Sequence, residues 1–377
     1  MRIGFDAKRF FNNYTGLGNY SRTLLKSLLK IQLDNSYILY SPKKPKVTNT
    51  EIFLQKDRCQ IKSSDKLFWR EYGIVSDLKG DKIQIYHGLS NEIPIGIHKT
   101  LIKSMVTIHD LIFKIYPNTY NYFDTKIYDF KFKYACKNAN KIVAISESTK
   151  KDIIQYYNVP TEKIEVVYQA CNSLFYNLQT REQVKENLKG YNLPSTFILY
   201  VGSVIERKNL LTIVKALEKV NPVIRVPLVI VGKGRAYKKK IEQYIQDKNL
   251  GEYFIWLDSL DDNRHLQALY QMAQLFIYPS IYEGFGIPVV EALLSKTAVI
   301  TSNVSSLPEA AGPNSICIDP QDEVLMKESI ELVLTNEGLR EKMIEKGYKY
   351  AITKFNSEKC AKEIMELYDD LIFENRD

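Results

Sequence analysis

The sequence has little of what thiol or metal chemistry needs. Its five cysteines, Cys59, Cys136, Cys171, Cys317 and Cys360, stand far apart, form no C-x-x-C pair and no zinc spacing, and are odd in number. A reduced, cytoplasmic protein is the expectation. Histidine is scarce, with His87, His98, His109 and His265 the only four, and no cluster of metal ligands can be traced. No metal and no other cofactor is therefore expected. A Gly-x-x-x-x-Gly-Lys-[Ser/Thr] string is absent, which leaves a P-loop kinase unsupported. No Ser-His-Asp or nucleophilic-cysteine arrangement can be argued. No apolar run approaches the roughly 18 residues needed to span a bilayer. Met1–Asp6 reads as a short strand and not as a signal peptide. There is no internal repeat and no low-complexity segment.

What is present is a regular alternation of short apolar runs and helical patterns over 377 residues. Strands are predicted at Arg2–Phe5, Tyr37–Tyr40, Lys82–Tyr86, Met105–His109, Lys141–Ile145 and Ile164–Val167. A second series follows at Phe197–Val201, Leu228–Val231, Phe254–Leu257, Leu275–Tyr278, Ala298–Thr301 and Ser315–Ile318. Amphipathic stretches such as Asn19–Ile31, Ser146–Tyr156, Leu210–Lys219 and His265–Ala273 lie between them. Such alternation predicts parallel sheets with helices on both faces. Twelve strands exceed one open sheet of common size, so the predicted fold class is α/β with two Rossmann-like domains facing a cleft. The predicted domains are 1–172 and 173–356, followed by a helix over 357–377.

Charge is uneven along the chain. Residues 1–180 carry +11 and the remainder −3, against a total of +8. A basic first half suits an anionic partner: a membrane surface, a lipid-pyrophosphate or a nucleic acid. A solvated lysine-rich surface explains it equally well. Ile112–Tyr134 mixes aromatics with lysines, which suits a membrane interface, a sugar-bearing acceptor or a plain core-facing helix. No RNA-binding motif accompanies it, and no nucleic-acid partner is expected.

The most informative segment is Phe276–Leu293. A strand runs to Tyr278, the loop Glu283-Gly284-Phe285-Gly286-Ile287 follows, and Pro288 opens a helix. The amides and dipole of a helix start attract anions. Glu283 and Glu291 would repel a phosphate there unless they serve hydroxyls, because a carboxylate only accepts hydrogen bonds and hydroxyls donate them. A nucleotide-sugar pocket is the implication; a plain strand–turn–helix with solvated acids is the alternative. Further candidates follow other strands. Gly16 and Gly18 would let backbone approach a ligand at a helix start, although a plain loop also needs glycines. His109 ends a strand, where α/β sheets bind ligands; His87 does so too and is the weaker candidate. Gly202 precedes Arg207 and Lys208, whose charges could neutralise a diphosphate. Gly232 ends a buried strand in a tight turn.

Glu283 and Glu291, eight residues apart around a Gly-Phe-Gly-x-Pro core, resemble the signature of the retaining GT-B glycosyltransferases, glycosyltransferase family 4 in particular. The Thr107–Leu111 string, the Arg207-Lys208-Asn209 string and the glycine loop are similar to family patterns and stand in family order. The resemblance implies that Glu283 lies near the donor sugar, that Glu291 holds the ribose and that the backbone of Phe285, Gly286 and Ile287 touches the diphosphate. It implies a diphosphate role for Lys208, with Arg207 beside it, and a place near the donor sugar for His109. Gly16, Gly18, Gly202 and Gly232 would line the donor site. It also implies that the terminal helix packs back on the first, acceptor-binding domain. No D-x-D, the metal–diphosphate device of the other main glycosyltransferase fold, occurs. The implied function is retaining transfer of a hexose from a nucleotide diphosphate sugar, GDP-mannose first and UDP-sugars second, to a saccharide or lipid-linked acceptor. The protein would work in the cytoplasm, with peripheral contact to an anionic membrane as a further expectation. A nucleotide-sugar epimerase or hydrolase, and a non-catalytic binding protein, remain alternatives.

Overall fold

The computed structural model describes residues 1–13, 16–32, 34–43, 58–260 and 262–373. They divide into two units, Met1–Ala170 with Asn356–Asp377, and Cys171–Phe355. The first unit holds a seven-stranded parallel sheet: β1 (Arg2–Asp6), β2 (Ser36–Ser41), β3 (Cys59–Ser63), β4 (Ile85–Gly88), β5 (Lys103–Ile108), β6 (Lys141–Ala144) and β7 (Ile164–Val166), in the order β3-β2-β1-β4-β5-β6-β7. The second holds a six-stranded one: β8 (Ile198–Val201), β9 (Leu228–Val231), β10 (Phe254–Leu257), β11 (Leu275–Tyr278), β12 (Val299–Ser302) and β13 (Ile316–Ile318), in the order β10-β9-β8-β11-β12-β13. Both sheets follow the doubly wound order 3-2-1-4-5-6, which reverses beside its first strand and opens a crevice there, at the carboxyl ends.

The strands are short apolar runs because helices cover both faces, so no alternation is required. Every residue of β9, β11 and β12 is buried. The helix Gly16–Ile31 buries Leu24, Leu25, Leu28 and Leu29, and these pack in one cluster with Cys360, Ala361, Ile364, Leu367, Tyr368 and Leu371 of the helix Ser357–Phe373. The terminal helix is therefore part of the first unit's core.

Three expectations are corrected. The strand β3 was not expected, since only Cys59 of its five residues is buried. The glycine loop before the first long helix is instead helix: Gly16 and Gly18 lie in its first turn, while Tyr14 and Thr15 fall outside the described residues, as do residues 374–377 of the expected terminal helix. The stretch Ile112–Tyr134 is broken at Pro117 into a short helix, Ile112–Ile115, and a long one, Tyr122–Asn138. No described helix is long and apolar enough to cross a membrane.

Candidate functional site

In the second unit the site grows out of the crevice between β8 and β11. β8 runs into Gly202 and β9 into Gly232, with φ of +155° and +154°. Gly202 N–H donates to the Val231 carbonyl at 2.9 Å, and Val204 N–H donates to the Lys233 carbonyl at 2.8 Å. The chain then makes a single 3₁₀ turn, Glu206–Lys208, closed by Asn209 in the left-handed region (φ 57°). Asn209 Nδ2 anchors the turn on the Pro320 carbonyl at 2.6 Å. The loop after β11 ties to this turn, because Ile281 N–H and Ser280 Oγ both donate to the Arg207 carbonyl, at 2.8 and 3.1 Å.

This stitching brings Glu283 onto the two cations. Its Oε1 lies 2.5 Å from Lys208 Nζ and 2.8 Å from Arg207 Nη1. The same oxygen accepts from Ser280 Oγ at 2.6 Å and from Tyr278 OH at 3.2 Å. Lys208 also donates to the Tyr278 hydroxyl. Burial would raise the Glu283 pKa, yet Lys208 and Arg207 outweigh it and hold the carboxyl below its ordinary value. Glu283, 8% exposed, is thus an ionised carboxylate. All the donors reach Oε1; among the described residues none reaches Oε2.

Serines after β12 fix the loop from behind. Ser305 Oγ accepts from Glu283 N–H at 3.1 Å, and Ser306 Oγ donates to the carbonyls of Glu283 and Phe285 at 2.9 Å each. The helix Ile287–Leu294 begins after Gly286 (φ 114°), with Pro288 as its second residue and not its first. The Phe285 ring faces inward, edge-on to Phe355 at 5.2 Å, so only its backbone remains for a ligand. One turn into the helix, Glu291 Oε2 accepts from Tyr270 OH at 3.1 Å. Burial pushes the Glu291 carboxyl up to about 7, against that hydrogen bond, with no cation opposing it. The carboxyls of two acids eight residues apart are therefore shifted in opposite directions, a pattern typical of sites that give two carboxyls different tasks.

In the first unit, His109 follows β5 and is 4% exposed. Its Nε2 lies 2.9 Å from the Leu89 carbonyl, which can only accept, so Nε2 carries the proton and Nδ1 keeps a lone pair. Burial lowers its pKa to about 4, so the ring is neutral near pH 7. Tyr20, from the glycine-bearing helix, packs edge-on to the ring at 4.8 Å. Gly18 lets that helix start lie against Asn13, whose carbonyl oxygen would be 1.7 Å from a Cβ there. Among the described residues, none beyond its chain neighbours would come within 4 Å of a Cβ at Gly16. Asp110 caps the next turn, accepting from Ile112 N–H at 3.1 Å. His87 does not reach a ligand: it is fully buried, with Nδ1 2.6 Å from Tyr368 OH and Nε2 2.8 Å from Thr107 Oγ1.

The second unit thus assembles Gly202, Arg207, Lys208, Gly232, Glu283 and the start of the Glu291 helix at one crevice, and the first unit gathers Gly16, Gly18 and His109. Sequence reasoning missed Tyr278 and Ser280 as partners of Glu283, whereas Ser305 and Ser306 lie in the Asn303–Glu309 string, which follows a strand end and reads in the sequence as a shaper of the pocket floor. Among the described residues no group of His, Cys, Asp and Glu could hold a metal ion.

Residues 15–172 match the family model described as Glycosyltransferase Family 4, and residues 181–350 match that of Glycosyl transferases group 1. O-antigen chain mannosyltransferase B of Escherichia coli is 26% identical, over 98% of this chain and 99% of the relative. O-antigen chain mannosyltransferase RfbU of Salmonella typhimurium is 30% identical, over 60% of this chain and 59% of the relative. Among solved structures, Anabaena HepE in complex with UDP and glucose shares 14% identity with a TM-score of 0.76, over 98% of this chain and all of that one (100%).

Proposed function

The chain belongs to the GT-B glycosyltransferases, with a family 4 first half and a group 1 second half, and from that premise we propose that it is a retaining hexosyltransferase. In this reading it moves mannose from GDP-mannose to a saccharide or lipid-linked saccharide. The observation that carries it is the joining of Lys208 and Arg207 to Glu283 at the carboxyl ends of β8 and β11. Such a cluster offers cations to a leaving diphosphate and a carboxylate to sugar hydroxyls, without a divalent ion. The mannosyl donor is supported by the two mannosyltransferase relatives.

Each group takes a role its protonation state allows. The bond from the anomeric carbon to the diphosphate breaks, leaving positive charge on the sugar and negative charge on the phosphate. Lys208 and Arg207 stabilise the phosphate, together with the amides at the start of the Ile287–Leu294 helix. Glu283 Oε2 accepts from a hydroxyl of the donor sugar. The neutral His109, with its Nδ1 lone pair, does the same. The departing phosphate takes the acceptor's proton on the face that the acceptor attacks. For a lipid-linked acceptor, the membrane would lie along the helix Tyr122–Asn138, where Phe123 and Ile127 are exposed beside Lys126 and Lys133.

The test is product analysis. The full chain is incubated with GDP-mannose or UDP-sugars, with and without saccharide acceptors, and the new linkage is read by proton NMR. An α-linked donor should yield an α-linked product. An inverted linkage would overturn the mechanism; free hexose or an epimerised donor as the sole product would overturn the transferase reading.

Glu291 supplies a pH dependence. If its ionised form binds the ribose hydroxyls, affinity for a sugar nucleotide should rise as pH climbs through about 7. Between pH 6 and pH 8 a roughly tenfold gain is expected, since about a tenth of the carboxyl is ionised one unit below its pKa. Glu291→Gln should bind more weakly and lose the pH dependence. Stability runs the other way: the folded-state pKa is raised, so this group's contribution is complete below the unfolded value and lost as pH rises through about 7. Calorimetric titration at three pH values checks the first, and thermal melts check the second.

A further inference from the structure

The proposed reaction asks His109 to accept from a donor-sugar hydroxyl at Nδ1, which requires its ring to stay in one plane. The Leu89 carbonyl fixes only one point of that ring, at Nε2. We propose that Tyr20 is the positioning residue that fixes the plane, and that Tyr368 of the terminal helix holds Tyr20 in place through His87 and Thr107. The assignment rests on the glycosyltransferase reading, in which His109 meets the donor sugar.

Four polar side chains from four separate elements make the link. Tyr368 OH, on the helix Ser357–Phe373, lies 2.6 Å from His87 Nδ1 on β4. His87 Nε2 lies 2.8 Å from Thr107 Oγ1 on the neighbouring strand β5. Thr107 Oγ1 is also 3.0 Å from Tyr20 OH, on the helix Gly16–Ile31. The chain ends where the Tyr20 ring stands against that of His109, at 87° and with 4.8 Å between centroids. A perpendicular pair of this kind is a favoured ring arrangement. All of these side chains are buried; Tyr20, the most exposed, reaches only 6%.

The surroundings make this chain a costly way to fill space. It runs through an apolar cluster that includes Phe5, Leu24, Leu28, Met105 and Ile364. Burying hydroxyls and an imidazole there costs free energy that their mutual hydrogen bonds do little more than return. Burial pushes the His87 pKa down to about 3, so the ring is neutral, and each of its nitrogens has one hydroxyl partner. What a satisfied polar network supplies, and leucines do not, is direction. Apolar side chains would hold the helix Gly16–Ile31 on the sheet but would let it slide. The Tyr20 hydroxyl is instead pinned to Thr107, two positions before His109 on the same stretch of chain, so the anchor and the ring it steadies move together.

The test compares Tyr20→Leu, Tyr20→Phe, Tyr368→Phe and the double Tyr20→Phe/Tyr368→Phe in the full chain, with Ile3→Val as a control in the same apolar cluster. Turnover with a sugar nucleotide and an acceptor is measured well below each melting temperature, and the His109 ring nitrogens are followed by NMR. Tyr20→Leu removes the ring and should lower kcat at least tenfold, because a misplacement near 1 Å can cost about a hundredfold in rate. The KM for the donor should move less than about twofold, since uniform binding by the nucleotide is untouched. Tyr20→Phe restores the ring and should recover most of the loss. Tyr20→Phe and Tyr368→Phe should each cost about threefold, and the double variant about threefold instead of about ninefold, since both cut one chain. Ile3→Val should lower the melting temperature and leave kcat and the His109 signals as they are. Wild-type kcat in Tyr20→Leu or Tyr368→Phe, multiplied losses in the double variant, or a loss in Ile3→Val equal to that in Tyr368→Phe would overturn the proposal. If Tyr20→Leu does not fold, the phenylalanine variants, which keep the side-chain volume, decide. The transferase reading fails separately, if the wild type transfers no sugar from any donor. The NMR measurement then still decides the positioning, because identical His109 signals in the wild type, Tyr20→Phe and Tyr368→Phe would overturn it.

Discussion

Replacing Lys208 with alanine should lower kcat by at least tenfold and towards a hundredfold, while the protein stays folded. In the proposed reaction, negative charge builds on the leaving diphosphate as the sugar departs. An interaction that strengthens with that charge lowers the barrier, whereas one equally strong in ground and transition states does not. Removing one preorganised donor from a developing oxyanion costs about 2.7–4 kcal/mol in well-studied cases. The lower bound here is set by Arg207, which stays beside the same carboxylate at 2.8 Å and retains part of the field. Lys208→Arg keeps the charge and should recover part of the loss. The measurement is steady-state turnover with a sugar nucleotide, alongside far-UV circular dichroism and a thermal melt. Wild-type turnover in Lys208→Ala would remove the lysine from the mechanism. A loss of turnover matched by a collapse of the melt would show instead that Lys208 mainly balances the buried Glu283.

That second outcome matters because the ion pair itself was not readable in the sequence. The residue types at the site were legible: a carboxylate beside a glycine loop, adjacent cations after a strand, a proline at a helix start. Their pairing was not, since 75 residues separate Lys208 from Glu283 and no local period links them. Histidine shows the same limit. His87 and His109 each stand at the end of a strand. What separates them is Tyr368, 281 residues further on, whose hydroxyl closes one nitrogen of His87 while Nδ1 of His109 keeps its lone pair.

The fold was more legible than the site for a related reason. Leu228–Val231 and Leu275–Tyr278 stand where their apolar runs placed them, because interior strands of a parallel sheet are apolar throughout and flanked by turns. The strand β3 escaped because it is an edge, paired only with β2, and its Gln60, Lys62 and Ser63 are exposed. Edge strands carry polar side chains to discourage further pairing, which erases the pattern that would reveal them. Glycines were ambiguous in a third way. Gly16 and Gly232 carry the same weight in the sequence, and only their surroundings distinguish them.

Those surroundings predict opposite outcomes for one substitution. Gly232→Ala should destabilise the second unit by about 3 kcal/mol, and Gly16→Ala should change stability by less than about 0.5 kcal/mol. At Gly232 a Cβ would lie 1.9 Å from the Gly202 carbonyl oxygen and 2.8 Å from its carbon. Both are backbone atoms of the neighbouring strand end, so no side chain can swing aside, and the φ of +154° is itself unfavourable for alanine. The relief available is to part β8 from β9, which stretches the Gly202 N–H bond to Val231 at 2.9 Å and the Val204 N–H bond to Lys233 at 2.8 Å. The turn that carries Arg207 and Lys208 starts from that junction and would shift with it. A misplacement near 1 Å can cost about a hundredfold in rate, so kcat/KM should fall at least tenfold even below the melting transition. At Gly16 no described residue other than its chain neighbours lies within 4 Å of the added methyl, and alanine favours the helix that begins there. Thermal melts should separate the two variants by roughly 6–12 °C, at about 2–4 °C per kcal/mol for a unit of this size. Equal melting temperatures would mean that the Gly202–Gly232 contact does not set the spacing of the strand ends, and the cations would then owe their position to the Glu283 loop alone.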